Sequence, residues 1–197
     1  MTPKQVLIAT TNKGKMEDIR EIFKDLNLKI LSFLDYDDYP TVVEDGNTFE
    51  ANAILKAKAA YEYFKLPVIA DDSGLSVYQL NGAPGVISAR YAGENATDEQ
   101  NNNKLISELE KFPEPHSAKY ICVAVYYDGI NLKVVDGDCK GRIIKPGKGT
   151  NGFGYDPYFI PDCYELTMGE LSLQEKNKIS HRLKAFEQLK DILRKYE

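Results

Sequence analysis

The sequence has few of the residues from which disulfide frameworks and zinc sites are built. Its three cysteines, Cys122, Cys139 and Cys163, are widely spaced and include no CxxC pair, and the chain contains only two histidines. Neither a disulfide framework nor a zinc or histidine-rich metal site is therefore expected. This cysteine usage favours a reduced, cytoplasmic protein.

An excess of basic residues and a long apolar segment are also absent. Lysine and arginine number 25 against 30 acidic residues, which gives a net charge of -5. This charge argues against non-specific electrostatic binding of nucleic acid, although a local basic pocket could still bind phosphates. No window approaches the roughly 20 apolar residues that a membrane span needs. We therefore expect neither nucleic acid nor a membrane as a partner.

The 197 residues, of which 43% are hydrophobic, suffice for one sizeable α/β domain or two small lobes. Alternating apolar runs predict strands at 6–9, 28–33, 68–71, 75–80, 120–127, 132–135 and about 142–144. Helical spacing predicts helices at 16–26, 47–64, 98–111 and 179–196, the second starting with a capping box from Asn47 to Glu50. This order predicts an α/β fold with a mixed sheet flanked by helices.

The loop after the first strand, 10–15, combines small polar side chains with a glycine and two lysines. Its residues are Thr10, Thr11, Asn12, Lys13, Gly14 and Lys15. Such a loop at a helix N-terminus suits a phosphate group, because free backbone N–H groups and the helix dipole point there. An ordinary capped turn is the equally weighted alternative.

Two adjacent aspartates, Asp71 and Asp72, follow an apolar run where a core would be expected to continue. Ionised carboxylates are costly to bury without compensation, so the strand is predicted to end here at a working site. If the strand continued through both residues, their side chains would point to opposite faces. One aspartate is therefore predicted to be structural, accepting hydrogen bonds that fix a turn into Ser73 and Gly74.

Further carboxylates lie upstream of the second helix, at Glu44, Asp45 and Glu50. Because Glu50 is assigned to the capping box, Glu44 or Asp45 is the better candidate to join an aspartate around a hard cation. Mg²⁺ is commonly held by one or two carboxylates, with water and phosphate oxygens completing its coordination. The alternative is that these acids only occupy turns and helix starts.

Two later segments add candidates for binding a base. The segment 147–159 has four glycines and the aromatic residues Phe153 and Tyr155, which offer a flat surface to a base or else pack inward. In 175–186, Ser180 lies near the start of the last predicted helix, whose first turn holds His181 and Arg182. An arginine there opposes the helix dipole unless it binds an anionic or oxygen-rich group. The alternative is that Arg182 pairs with a surface carboxylate such as Glu175.

Six motifs in order make the chain resemble the inosine triphosphate pyrophosphatase family from about Val6 to Leu189. They are TxNxxK at Thr10, Asn12 and Lys15; NAxxKA at 52–57; ADDSGL at 70–75; GAPGxxSARYAG at 82–93; GFGYDPxF at 152–159; and EKNxxSHR at 175–182. The resemblance implies one pyrophosphatase domain over 1–197, with an elongated central sheet and two lobes that form an active-site cleft. It also implies a homodimer.

The resemblance further implies Mg²⁺-dependent hydrolysis of ITP, dITP and XTP to the monophosphate and pyrophosphate, which removes non-standard purines from the nucleotide pool. Asp72 would be the catalytic carboxylate and a metal ligand, with Glu44 as the second ligand. Residues 10–15 and Ser73 would hold phosphates. The nucleotide and base pocket would comprise Phe153, Gly154, Tyr155, Asp156, Lys176, His181 and Arg182. Two alternatives stay open: a pyrophosphatase for modified pyrimidine or ordinary nucleotides, and a non-catalytic nucleotide-binding module.

Overall fold

The computed structural model describes residues 4–194, which form a six-stranded sheet and five α-helices. The strands are β1 (Lys4–Ile8), β2 (Leu28–Ser32), β3 (Val68–Val77), β4 (His116–Tyr127), β5 (Leu132–Ile143) and β6 (Phe159–Pro161). The helices are α1 (Lys13–Ile22), α2 (Phe49–Phe64), α3 (Asp98–Leu109), α4 (Leu173–Ile179) and α5 (His181–Arg194). The strand order is β2-β1-β3-β4-β5-β6; β1 pairs in parallel with β2 and β3, whereas β6 is antiparallel to β5. The predicted mixed α/β sheet is confirmed.

The described residues divide into two compact units, each of which is described by itself. The first comprises residues 4–72, 122–137 and 182–194, and the second comprises 73–121 and 138–181. A single domain over 1–197 and a cleft between two lobes stay predictions. None of the helices found within 4–194 combines the length and apolar character required to cross a bilayer.

In the first unit, alternate residues of each strand enter two separate apolar clusters. Val6, Ile8 and Ile69 pack with α1 and α5, whereas Leu7 and Val68 pack with α2. This is the two-residue period of a strand that is covered on both faces. Residues 68–70 of β3 are thereby assigned alternately to the two helix layers, and Asp71 and Asp72 follow them directly.

The second unit has its own apolar cluster. It is formed by Leu75, Val77, Tyr91, Leu105, Leu109, Ala118, Tyr120, Cys139, Ile143, Tyr155, Phe159, Met168 and Leu171. The pairing of β5 with β6 brings backbones close at Gly141, where an added Cβ would lie 2.2 Å from the Ile160 carbonyl oxygen. A glycine is needed there because any side chain would separate the two strands.

Two predicted strand boundaries are wrong. β3 does not end at Asp72 but continues to Val77, and the strand predicted near 142–144 is the end of β5. In β3 the strand persists because both aspartates find polar partners on their own faces, so burying them does not require a turn. The predicted role of one aspartate in fixing a turn at Ser73 and Gly74 is wrong for the same reason.

Two predicted helix features are also wrong. The N-cap of α2 is Thr48, whose Oγ1 accepts a hydrogen bond from the Ala51 N–H at 3.1 Å, so Asn47 and Glu50 do not form a capping box. The predicted helix 179–196 is interrupted at Ser180, whose extended backbone separates α4 from α5. A Ser172–Glu175 capping box starts α4, a signal that the sequence contained. The predicted end at 195–196 lies outside the described residues.

Candidate active site

The central feature of the candidate site is the aspartate pair of β3, whose side chains lie on opposite faces of the strand. Asp71 continues the series of Ile69 toward α1 and α5, and Asp72 continues the series of Ala70 toward α2. Both residues are buried. The prediction that adjacent aspartates have separate surroundings is confirmed.

Asp71 is held by cations of the first unit. Its Oδ2 accepts a hydrogen bond from the Lys15 Nζ at 2.8 Å, and the Cys122 Sγ lies 4.0 Å from the same oxygen. Burial raises the pKa of Asp71, but the charges of Lys15, Arg182 and Lys56 together outweigh burial and hold this pKa well below its usual range. Asp71 is therefore an ionised structural carboxylate around which positive side chains are arranged.

Arg182, in the first turn of α5, is one of these cations and is almost completely buried. Its Nη1 lies 2.5 Å from the Asp18 Oδ2 in α1. Its predicted alternative partner, Glu175, instead accepts hydrogen bonds from the backbone and side chain of Ser172. Pairing of Arg182 with Glu175 is therefore wrong, and its contact with a base stays a prediction.

Sequence reasoning missed Asp18. Helical spacing carried a usable signal, because Lys15, Asp18 and Ile22 fall on one face of α1. An acid on the half of a helix that faces the sheet indicates a buried partner, either a cation or a set of hydrogen-bond donors.

Asp72 faces two residues of α2 that lie one helical turn apart, Asn52 and Lys56. The Asn52 Nδ2 donates to Asp72 Oδ2 at 3.0 Å, while the Asn52 Oδ1 accepts from the Gly46 N–H at 2.8 Å, which fixes the direction of the amide. The Lys56 Nζ lies 3.8 Å from Asp72 Oδ1. Burial raises the pKa of Asp72; Lys56 and Asn52 offset this only in part, and the charge of Glu44 raises it further. Asp72 is therefore a stronger base than an exposed aspartate.

Glu44 and Asp72, the two acids predicted to bind Mg²⁺, both lie beside the Lys56 ammonium. The Glu44 Oε2 lies 3.1 Å from the Lys56 Nζ, so both carboxylates converge on one ammonium group. Asp45, the other acid considered, is exposed. Among residues 4–194 there is no cluster of three or more His, Cys, Asp or Glu side chains placed to hold a metal. Two carboxylates fit Mg²⁺, which commonly takes its other ligands from water and phosphate oxygens.

The loop at 10–15 forms a capped helix start. The Thr10 Oγ1 accepts from the Asn12 N–H at 3.2 Å, and the Asn12 Oδ1 accepts from the Lys15 N–H at 3.0 Å as the N-cap of α1. The capped turn is thus present, and phosphate binding stays a prediction. The other loop residues are Thr11 and Lys13, which are exposed, and Gly14, which is half-buried.

In the second unit, Asp156 joins several predicted residues. This buried carboxylate accepts hydrogen bonds from the Lys176 Nζ at 2.9 Å, from the Tyr120 hydroxyl at 3.1 Å and from the Phe153 N–H at 3.0 Å. Burial and then the negative charge of Asp156 raise the pKa of Tyr120, which keeps its hydroxyl protonated as a donor. Sequence reasoning did not select Tyr120.

The aromatic residues of this unit have different surroundings. The Lys176 ammonium lies 4.8 Å from the ring centre of half-buried Phe153, within the range of a cation–π contact. His181 stacks on Tyr120 with a centroid distance of 4.8 Å. Tyr155 packs inward, and its hydroxyl donates to the Ser88 carbonyl at 2.8 Å. Of the two aromatic residues predicted to meet a base, Phe153 is therefore the better placed. Ser73 is half-buried in β3 of the same unit.

We expect the variants Lys176→Met and Asp156→Asn to be coupled in stability. Removing one charge leaves the other buried without its ionic partner, which costs about 3–5 kcal/mol of unfolding free energy. The double variant should recover part of that loss, because neither charge is then left uncompensated. Urea unfolding of the four proteins in this cycle measures the effect, and additive losses would contradict the pairing.

Comparison with known proteins places these motifs in a family. The model of the Ham1 family matches residues 6–192. A dITP/XTP pyrophosphatase of Geobacter sulfurreducens is 48% identical over 96% of this chain and 96% of its own length. One of Oceanobacillus iheyensis is 45% identical over 96% of this chain and 98% of its own length.

Solved structures show the same likeness. The Staphylococcus aureus Ham1 protein is 41% identical with a TM-score of 0.87, covering 98% of this chain and 100% of that one. A HAM1 protein from Coxiella burnetii is 39% identical with a TM-score of 0.89, covering 98% of this chain and 99% of that one. The family resemblance found in the sequence is confirmed. This chain belongs to the Ham1 family.

Proposed function

We propose that this protein is a Mg²⁺-dependent nucleoside triphosphate pyrophosphohydrolase that cleaves dITP, XTP and ITP to the nucleoside monophosphate and pyrophosphate. The relatives named as dITP/XTP pyrophosphatases support the substrate class. In a cell this reaction would remove non-standard purines from the nucleotide pool. We further propose that the protein acts in the cytoplasm as a homodimer.

The observation that carries the proposal is the environment of Asp72. The Asn52 amide of α2 donates a hydrogen bond to this carboxylate at 3.0 Å, and the Lys56 ammonium forms an ion pair with it at 3.8 Å. Burial raises the pKa of Asp72. A base works best when its pKa lies closer to the operating pH. Asp71, although adjacent, is stabilised in its ionised form and is a weak base.

In the proposed reaction, water attacks the α-phosphorus and the bond to the bridging oxygen of pyrophosphate breaks. Asp72 orients the water and accepts its proton, while Asn52 and Lys56 keep the carboxylate directed. Asp72 and Glu44 would hold Mg²⁺, which when bound supplies positive charge against the triphosphate. Lys15 and the N–H groups at the start of α1 add positive potential for the phosphates.

The second unit would supply the base-binding residues. The Phe153 ring offers a surface for stacking, and Lys176 lies beside it as a donor. His181 of the same unit is a further donor that the family resemblance predicts. Donors directed at a 6-oxo group accept hypoxanthine and xanthine but meet the amino group of adenine unfavourably, which can discriminate by large factors.

We expect the protein to convert dITP and XTP, in the presence of Mg²⁺, to monophosphate and pyrophosphate. Phosphorus NMR of the reaction identifies the products directly. Dependence on Mg²⁺ is checked by adding a chelator and then restoring the metal. Release of orthophosphate and diphosphate would contradict the proposal, and equal or faster cleavage of dATP or dUTP would contradict the substrate class.

A further inference from the structure

The first turn of α3 binds the backbone of the loop that carries Phe153. The Asp98 Oδ2 accepts a hydrogen bond from the Gly154 N–H at 2.7 Å, and the Asn102 Nδ2 donates to the Gly154 carbonyl at 2.9 Å. Asp98 and Asn102 lie one helical turn apart on the same face. Two side chains of one helix therefore hold both polar groups of a single loop residue.

Fixing Gly154 also fixes its neighbours. Gly154 has a left-handed φ of 62°, and its two peptide groups connect directly to Phe153 and Tyr155. Tyr155 is anchored by its hydroxyl at Ser88, and the Phe153 N–H donates to Asp156. The contacts from α3 add a further restraint on the peptide that joins Phe153 to Gly154.

The helix that makes these contacts is itself anchored. Thr97 and Gln100 form a capping box at its start. Asn101 accepts from the Ala92 N–H at 2.8 Å and donates to the Ala89 carbonyl at 3.1 Å. Asp98 and Asn102 therefore project from a backbone whose position is set independently of the loop.

The side chain of Asn102 is not explained by a contribution to the free energy of unfolding alone. Its side chain is buried, and its Oδ1 has no hydrogen-bond partner among residues 4–194. Within the described part of the chain, the cost is offset by the Nδ2 hydrogen bonds to the Gly154 carbonyl and to the Asp98 carbonyl, both at 2.9 Å. An apolar residue of similar size would avoid the unpaired acceptor, so the amide is better explained by what it holds.

We propose that Asp98 and Asn102 are positioning residues for base recognition, which act through Gly154 to hold Phe153 in the orientation that receives a purine. The proposal rests on the function proposed above. It assigns the two residues no contact with the triphosphate and no part in the chemical step.

The kinetic test compares Asn102→Leu with its matched control, Asn103→Leu, at the adjacent exposed position of the same helix. Loss of a hydrogen bond that orients the loop should raise KM for dITP by about three- to tenfold, with kcat changed less than about twofold. The preference for dITP over dATP should fall in parallel. Asn103→Leu should match the wild type. A loss of kcat at unchanged KM would overturn the proposal.

Asp98 gives a second test at an exposed position, where we expect a substitution to leave the protein folded. Asp98→Ala should raise KM, whereas Asp98→Asn, which keeps an acceptor oxygen, should restore it. Equal KM values for the two variants would overturn the assignment of Asp98.

Hydrogen exchange of the Gly154 amide tests the contact without any substrate. Exchange should be faster in Asp98→Ala than in the wild type and should return toward the wild-type rate in Asp98→Asn. An unchanged rate in Asp98→Ala would overturn the contact. If the wild type cleaved neither dITP nor XTP, the proposed function would fail while this measurement still reported on the loop.

Discussion

The variant Asp72→Asn should lose about 10²–10⁴-fold of the dITP hydrolysis rate while it stays folded, because an amide cannot accept the proton of the attacking water. The substituted side chain would keep an amide oxygen that can accept from Asn52 at the position of the present 3.0 Å contact. Since burial raises the pKa of Asp72, the charged form is disfavoured in the folded protein, and removing the charge should not destabilise it.

Two measurements on the purified variant check this expectation. Steady-state rates at saturating dITP and Mg²⁺ give the loss in kcat, and urea unfolding followed by circular dichroism gives the stability. Full activity in a folded Asp72→Asn protein would contradict the assignment of Asp72 as the base.

Asp71→Asn should instead be the destabilising member of the pair. Asp71 lies 2.8 Å from the Lys15 ammonium and is influenced by the charges of Arg182 and Lys56. The substitution removes the carboxylate that pairs with Lys15, whereas Arg182 keeps Asp18 and Lys56 keeps Glu44. Breaking this largely buried pair should cost about 3–5 kcal/mol of unfolding free energy at neutral pH. Any loss of activity should follow the loss of folded protein and of the arrangement of Lys15, not the loss of a base.

The pH dependence of this effect has a defined sign. The pKa of Asp71 is lower in the folded protein than its ordinary value of 3.8, so the carboxylate contributes stability that is fully present above that value. This contribution is lost as pH falls through the folded pKa. The stability difference between wild type and Asp71→Asn should therefore be constant from about pH 7 to about pH 5 and shrink below the ordinary pKa. A difference that grows toward acid pH would contradict the ionised state of Asp71.

The two substitutions are isosteric and adjacent, so each is the control for the other. If both variants were equally stable and equally active, the division between a structural and a catalytic aspartate would be wrong.

The sequence was sufficient to predict that these two residues differ, but not what each one contacts. Strand alternation separates them whenever β3 continues, and the apolar residues that precede them, Ile69 and Ala70, already show the two faces. The sequence did not show that α2 supplies Asn52 and Lys56 to one face while α1 and α5 supply Lys15 and Arg182 to the other. Those partners are distant in sequence, and local sequence patterns do not predict which helix packs on which face of the sheet.

The errors have the same origin. The prediction that β3 ends at Asp72 rested on the assumption that a carboxylate at this position must be exposed to solvent. In the structure, cations that are distant in sequence compensate the charge of Asp71. Choosing Asn47 over Thr48 as N-cap was a choice between adjacent residues with similar preference. The spacing of apolar residues predicted one helix over 179–196. In the structure, Ile179 packs with the apolar cluster of the second unit, whereas Leu183 packs with an apolar cluster of the first unit. The break at Ser180 separates these two packing environments.

Hydrolysis of dITP in water enriched with heavy oxygen tests the central claim most directly. If water activated by Asp72 attacks the α-phosphorus, mass spectrometry of the products will find the label in the dIMP phosphate and none in the pyrophosphate. Label in the pyrophosphate, or products other than dIMP and pyrophosphate, would contradict the account.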